Sequence, residues 1–271
     1  MMRALLIGYA ALVLVMAGCQ RHLIYYPSTG SKDRLLAIAD EVGMKPWYGE
    51  DGTIIGWTSA VPEDGDPEAS VVVFHGNAGM AVSRTYFRDG IERATDRRWE
   101  VRVLEYPGYG AREGRPGERH FTAAAREALE SLFKATDRPV YLAGESLGAG
   151  VACRMAAAFP DRIAGLMLIT PFSSLPDVGA HHYPFLPVRF LMRDRYDNVT
   201  ALKQYRGPVA ILLAEQDTVV PPEFGRKLYE SYQGVKRLSV QPGSDHNTLD
   251  LSAYNPWWHE AVAFLRGAPE E

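Results

Sequence analysis

The stretch Gly144-Glu145-Ser146-Leu147-Gly148 constrains this chain more than any other. Before it, Arg138-Pro139-Val140-Tyr141-Leu142-Ala143 is a short apolar run opened by proline and suited to a buried parallel strand. After it, the run from Ala149 to Phe159 favours helix and is stopped by Pro160. A serine on so sharp a strand-to-helix turn has strained backbone dihedrals, and the residues two before and two after it must lack a Cβ. Gly144 and Gly148 meet that demand. The helix N-terminus then directs free N–H groups at the serine, where negative charge would develop. A tight turn carrying an inert serine would show the same five residues, so the remaining chain has to decide.

From Val71 onward the chain alternates strand and helix, which predicts an α/β fold with a mostly parallel central sheet covered by helices on both faces. The predicted strands are Val71 to Phe74, Val101 to Tyr106, Val140 to Ala143, Ile163 to Ile169, Val209 to Ala214 and Arg237 to Val240. Helices are expected near Val82 to Thr95, Phe121 to Thr136, Gly148 to Phe159, Glu223 to Tyr232 and Pro256 to Arg266. Ahead of the sheet, a short helix is expected over Ser31 to Val42 and a hairpin turning at Asp51-Gly52. The segment Pro62 to Pro67 reads as an acidic turn, and the Gly-Ala-Pro-Glu-Glu end as frayed. No internal repeat is present.

At the N-terminus, Met1-Met2-Arg3 precedes an apolar run from Ala4 to Ala17, which reads as a secretory signal peptide. Its Met16-Ala17-Gly18-Cys19 end resembles a bacterial lipobox, in which the cysteine is lipidated and becomes the new N-terminus. The expected division is therefore a signal peptide at 1–18 and a single domain at 19–271. Lipidated Cys19 would tie the chain to a lipid bilayer outside the cytoplasm. Gln20 in place of Asp fits outer-membrane sorting, facing the periplasm, if the source has two membranes. Cys153 would then have no disulfide partner and reads as a small buried hydrophobe. A net charge of −4 argues against nucleic acid as a partner.

In an open parallel sheet, ligand chemistry gathers at the carboxyl ends of the strands. After Phe74 comes His75-Gly76-Asn77-Ala78-Gly79, whose small residues let backbone approach a substrate. Asn77 N–H and Leu147 N–H are the expected oxyanion donors. After Ala214 comes Glu215-Gln216-Asp217, and after Gln241 comes Pro242-Gly243-Ser244-Asp245-His246. The order Ser146, Asp217, His246 is that of a nucleophile, an orienting acid and a base, with Glu215 and Asp245 as rival acids. Histidine suits the base because its pKa lets it take and return a proton near neutral pH. The adjacent His181 and His182 lack a nearby Cys or carboxylate cluster, so no metal is expected.

With these motifs in order, the chain resembles the α/β-hydrolase superfamily of serine hydrolases, in its Bem46-like branch. The resemblance also rests on Tyr106-Pro107-Gly108-Tyr109-Gly110 and Thr170-Pro171-Phe172-Ser173-Ser174, and it runs from about Tyr25 to about Leu265. Arg112-Glu113-Gly114 departs from the branch pattern and is expected to alter the pocket rim. A cap-like insertion is expected at about 171–206, where Tyr183 to Met192 is apolar and punctuated by prolines. Phe185 and Leu191 are the residues expected to line an acyl site there. The resemblance implies a membrane-anchored hydrolase of carboxylic esters or thioesters, acyl lipids among them, that works through an acyl-enzyme and needs no cofactor. The alternatives are an amide hydrolase with the same three residues, or a catalytically silent tethered binding protein on the same fold.

Overall fold

Alternating apolar strands and amphipathic helices build a single sheet with helices on both faces, seen here in a computed structural model that describes residues 2–60, 65–96 and 98–267. The chain opens with α1 (Met2–Ile24), α2 (Lys32–Glu41), β1 (Met44–Tyr48), β2 (Ile54–Ser59) and β3 (Ala69–Phe74). A short 3₁₀ turn, Ala81–Ser83, leads into α3 (Thr85–Ala94), then β4 (Trp99–Leu104), α4 (Glu118–Ala135), β5 (Val140–Glu145), α5 (Leu147–Ala158) and β6 (Ile163–Ile169). Three short helices follow: α6 (Leu175–His182), α7 (Val188–Leu191) and α8 (Asn198–Leu202). The chain closes with β7 (Val209–Ala214), α9 (Pro222–Ser231), β8 (Lys236–Gln241) and α10 (Pro256–Leu265). Residues 62–64 of the expected acidic turn and 268–271 of the expected frayed end lie outside the described residues.

The eight strands are ordered β1-β2-β4-β3-β5-β6-β7-β8. The hairpin β1–β2 and the β2–β4 pair are antiparallel, and every pair from β4 to β8 is parallel. Strand order reverses at β3, which lies between β4 and β5, so the loops leaving β3 and β5 diverge there. That opens a crevice at the carboxyl edge of the sheet. The His75 loop leaves β3 and Ser146 follows β5, so the topology alone brings them together.

Side-chain alternation divides the core in two. Phe74, Leu104, Leu142, Leu168 and Ile211 face α4, α5 and α8 on one side. Val71, Val73, Val101, Ala143 and Met167 face α3 and α10 on the other, where Trp99 stacks on Tyr141 with ring centroids 4.3 Å apart. Helix ends are capped as their sequences require: Ser174 accepts from Asp177 N–H, Asp197 from Thr200 N–H, and Asn255 from Trp257 N–H.

The apolar run Ala4 to Ala17 lies within α1, which continues through Gly18 and Cys19 to Ile24, where Gln20 and Leu23 reach the body of the protein. Arg112 does not reach the pocket rim; its guanidinium folds back to donate to the Glu105 carbonyl at 2.7 Å.

The tightest constraint in the fold is where α5 crosses the end of β3. A Cβ at Gly148 would overlap the Phe74 carbonyl oxygen, and one at Gly144 would fall 2.6 Å from Ala149 Cα. Both obstacles are backbone and cannot rotate away. Gly148→Ala is therefore expected to lower stability by about 3 kcal/mol; an unchanged urea midpoint would contradict this packing.

Candidate active site

Ser146 follows the last residue of β5 and serves as the N-cap of α5, with φ 51° and ψ −116°. Such dihedrals cost a non-glycine residue about 1–3 kcal/mol. The conformation is held by the Ser146 N–H donating to the Ile169 carbonyl at 2.8 Å and by the two glycines flanking it. Leu147 begins α5, so its N–H has no acceptor within the helix and remains available for a ligand.

His246 and Asp217 meet. His246 Nδ1 lies 2.7 Å from Asp217 Oδ2, and the other Asp217 oxygen accepts the N–H groups of Val219 at 2.9 Å and Val220 at 2.7 Å. The Asp217 side chain is only 1% exposed, so its carboxylate geometry is fixed from three directions. Both rival acids are engaged elsewhere. Glu215 accepts the Gly243 N–H at 2.9 Å, and Asp245 accepts the Thr218 hydroxyl at 2.9 Å, tying the Asp217 and His246 loops together.

The loop after β3 is braced by side chains that no sequence motif marks. Glu145 accepts the Gly76 N–H at 3.2 Å and the Tyr86 hydroxyl at 2.6 Å, and Arg84 lies 3.8 Å away and also donates to the Ala78 carbonyl. Burial, with the Glu145 charge next in size, raises the Tyr86 pKa, so its hydroxyl stays a donor. Asn77 donates its side-chain amide to the Ile24 carbonyl and accepts from Tyr26 N–H and the Tyr109 hydroxyl. Its side chain thus locks the loop to the segment just after α1 and leaves its backbone to serve a ligand. Behind the loop, buried His75 contacts the Gly76 carbonyl through Nδ1 at 2.7 Å and Glu105 through Nε2 at 3.4 Å.

Ser146, His246, Asn77 and Leu147 all line one cavity of about 750 Å³. Its other walls are mostly apolar: Phe172, Leu175, Val178, Leu186, Val188, Leu191 and Met192 from the cap, with Met16, Ala17, Leu23 and Ile24 from α1. Of the two residues expected to line an acyl site, Leu191 reaches this cavity. Phe185 does not: its side chain lies outside the cavity, 62% exposed, because the turn before α7 points Leu186 inward instead. His182 reaches the cavity but is tied by Nε2 to the Val219 carbonyl at 2.9 Å. Cys153 is fully buried in α5, where burial pushes its thiol pKa up and keeps it inert. Among the described residues, no group of three or more His, Cys, Asp or Glu side chains is placed to hold a metal ion.

Sheet order places the strained serine at the switch point, and His246, paired with Asp217, lines the same cavity. Residues 69–200 match the α/β hydrolase fold family. An uncharacterized protein of Mycobacterium tuberculosis is 35% identical over 238 residues, covering 86% of this chain and 82% of its own length. The chain has the α/β-hydrolase fold. The lysophosphatidylserine lipase ABHD12 of Danio rerio is 29% identical over 198 residues, 62% of this chain and 48% of that protein, so the chain spans about half the lipase's length. Est1E from Butyrivibrio proteoclasticus, at 18% identity, shares the fold with a TM-score of 0.63 over 78% of this chain and 96% of its own.

The Glu145 network makes a prediction that the motif alone does not. Glu145→Ala would strand the Gly76 N–H and leave Arg84 without its carboxylate, at a cost of about 1–3 kcal/mol. The urea midpoint should fall and kcat/KM should fall with it; a variant unchanged in both would show that this brace is idle.

Proposed function

We propose that the protein is a membrane-anchored serine hydrolase of carboxylic esters or thioesters, with single-chain acyl lipids as the favoured substrates, on the Bem46-like branch that its motifs resemble. The observation that carries the reading is a strained serine and a buried His–Asp pair facing one apolar cavity. In this reading Ser146 attacks the acyl carbon while His246 takes its proton through Nε2, since Nδ1 faces Asp217. Asp217 holds the imidazole in that tautomer and stabilises the imidazolium. The oxyanion is met by the N–H groups of Asn77 and Leu147, aided by the N-terminal dipole of α5. His246 then returns the proton to the leaving alcohol or thiol. Water activated by the same histidine cleaves the acyl-enzyme to release the acid.

Lipid-like substrates are favoured by the apolar walls, and the lysophosphatidylserine lipases among the relatives support the same direction. The N-terminal helix supports anchoring, since α1 is long and apolar enough to cross a membrane, with mean hydropathy 1.9. Lipidation at Cys19, with cleavage after residue 18, is the alternative anchor and would use the same end of the chain.

Three outcomes are expected. A fluorophosphonate should label the protein once, and Ser146→Ala should abolish both labelling and ester turnover; persistent labelling would assign the nucleophile elsewhere. Asp217→Asn should lower kcat by about 10⁴ without loss of folding, whereas Glu215→Gln should leave kcat within about twofold. In a series of esters, each added CH₂ should raise kcat/KM about fourfold, from ~0.8 kcal/mol of burial, until the cavity is full. Leu191→Ala should lose more on the longer esters than on acetyl, and a flat profile in the unmodified enzyme would contradict an acyl site.

A further inference from the structure

The strip of surface where α1 meets the cap is built unlike the rest of the molecule. None of the apolar window of α1 is buried within the protein, and Leu5, Leu6, Ile7, Leu14 and Val15 are each more than 60% exposed. A continuous apolar surface of that length is unstable in water and stable in lipid. The cap runs along this helix and does not stand clear of it. Gln20 donates to the Leu191 carbonyl at 3.2 Å and accepts the Arg193 N–H at 2.7 Å, and Arg21 lies 3.4 Å from Asp194. Further back, the Tyr9 hydroxyl donates to the Phe185 carbonyl at 2.8 Å. At 1.5 Å of rise per residue, Tyr9 lies about 15 Å along the helix from Cys19. The cap tip is thus held well down the apolar length of α1.

On that tip, Phe190 is 90% exposed and Phe185 62% exposed, while the apolar residues beside them in sequence, Leu186 and Val188, are buried. Two aromatic rings facing outward from a four-residue helix and its leading turn contribute nothing to the core. The neighbouring Arg189, Arg193 and Arg195 are also exposed, a basic margin suited to anionic headgroups. Behind the strip lies the cavity itself, whose wall on this side is made by Met16, Ala17 and Leu23 of α1 and Leu191 of the cap.

From this continuity we infer that the cap edge carrying Phe185 and Phe190 docks into the bilayer that holds α1, so that the cavity draws its substrate sideways from the membrane. The substrate class that fits is a single-chain amphiphile: its acyl chain passes between α1 and the cap, and its ester stops at Ser146 near the headgroup level. Lipid attached to Cys19 would bring the bilayer to the same edge, because the adjoining Gln20 is bonded to the cap. The inference rests on the hydrolase reading for its substrate, but the docking itself does not depend on turnover.

The test uses the full chain in vesicles of phosphatidylcholine and phosphatidylglycerol in equal parts. Hydrolysis of monooleoylglycerol in the bilayer is compared with that of water-soluble p-nitrophenyl butyrate. Phe190→Glu should slow the first about tenfold and leave the second within about twofold, because only the bilayer-resident ester depends on docking. Independently, Phe190→Cys in vesicles should react with a membrane-impermeant maleimide at least about fivefold more slowly than Val235→Cys, each relative to its rate in the urea-unfolded chain and read by peptide mass. Val235 is 65% exposed and precedes β8, at the end of the sheet opposite the cavity. Equal loss on both esters, or equal labelling at both positions, would overturn the docking surface. A dimer in detergent that Phe190→Glu dissociates would overturn it too, by assigning the patch to a second copy of the chain. Protection at position 190 with no turnover of either ester by the unmodified chain would sustain the docking and sink the hydrolase reading.

Discussion

The close crossing of α5 over the end of β3 is the constraint on which the rest depends. Gly148 lies against the Phe74 carbonyl, and that contact fixes how sharply the chain must turn between β5 and α5. The turn leaves Ser146 with a positive φ that a serine adopts only under restraint, supplied by the β6 carbonyl of Ile169 and by the buried sheet on both sides. The strain serves a geometric end. It lifts the hydroxyl out of the sheet at the one edge where strand order reverses, beside the loop that leaves β3 and within the cavity that His246 also lines. A relaxed turn would return the same side chain to the surface of the sheet.

Much of this was legible in the sequence, for reasons that differ by element. β6 and β7 occupy the residues expected, because fully buried parallel strands are continuous apolar runs with abrupt polar or proline boundaries. Asp217 sits in the loop after such a strand, β7, whereas His246 sits in the loop after β8, a partly buried edge strand with a weaker apolar signal. What the sequence could not convey is which way residues face where no long periodicity exists. α7 has four residues, too few for a repeat to distinguish Phe185 and Phe190 outside from Leu186 and Leu191 inside. Nor does any pattern reveal that Glu145 braces Gly76 or that Asn77 grips Ile24, since those contacts join residues 69 and 53 positions apart. Nor does the local sequence show that α1 runs on through Gly18 and Cys19 to Ile24. Gln20 and Arg21 find partners on the cap, and such tertiary contact outweighs local propensity.

The same contacts link parts that a motif list keeps separate. The segment after α1 is bonded to the loop expected to hold the oxyanion, through Asn77, and Tyr25 reaches Asp194 of the cap at 2.9 Å. The Thr29–Gly110 and Pro27–Gly79 bridges carry the chain across the top of the crevice. Whatever holds α1 therefore also positions one wall of the cavity and one side of the loop facing Ser146. In the proposed reading, membrane attachment and the geometry around Ser146 would share these hydrogen bonds, which would restrict chemistry to the place where the substrate resides.

The central claim is that acyl transfer passes through Ser146, and it is tested most directly by trapping the intermediate. The protein is mixed with a p-nitrophenyl ester, quenched in acid within the first turnovers, digested and weighed. A mass increase equal to the acyl group less one hydrogen is expected on the peptide carrying Ser146 and on no other. Ester turnover with that peptide unmodified and the acyl group on another residue would contradict it.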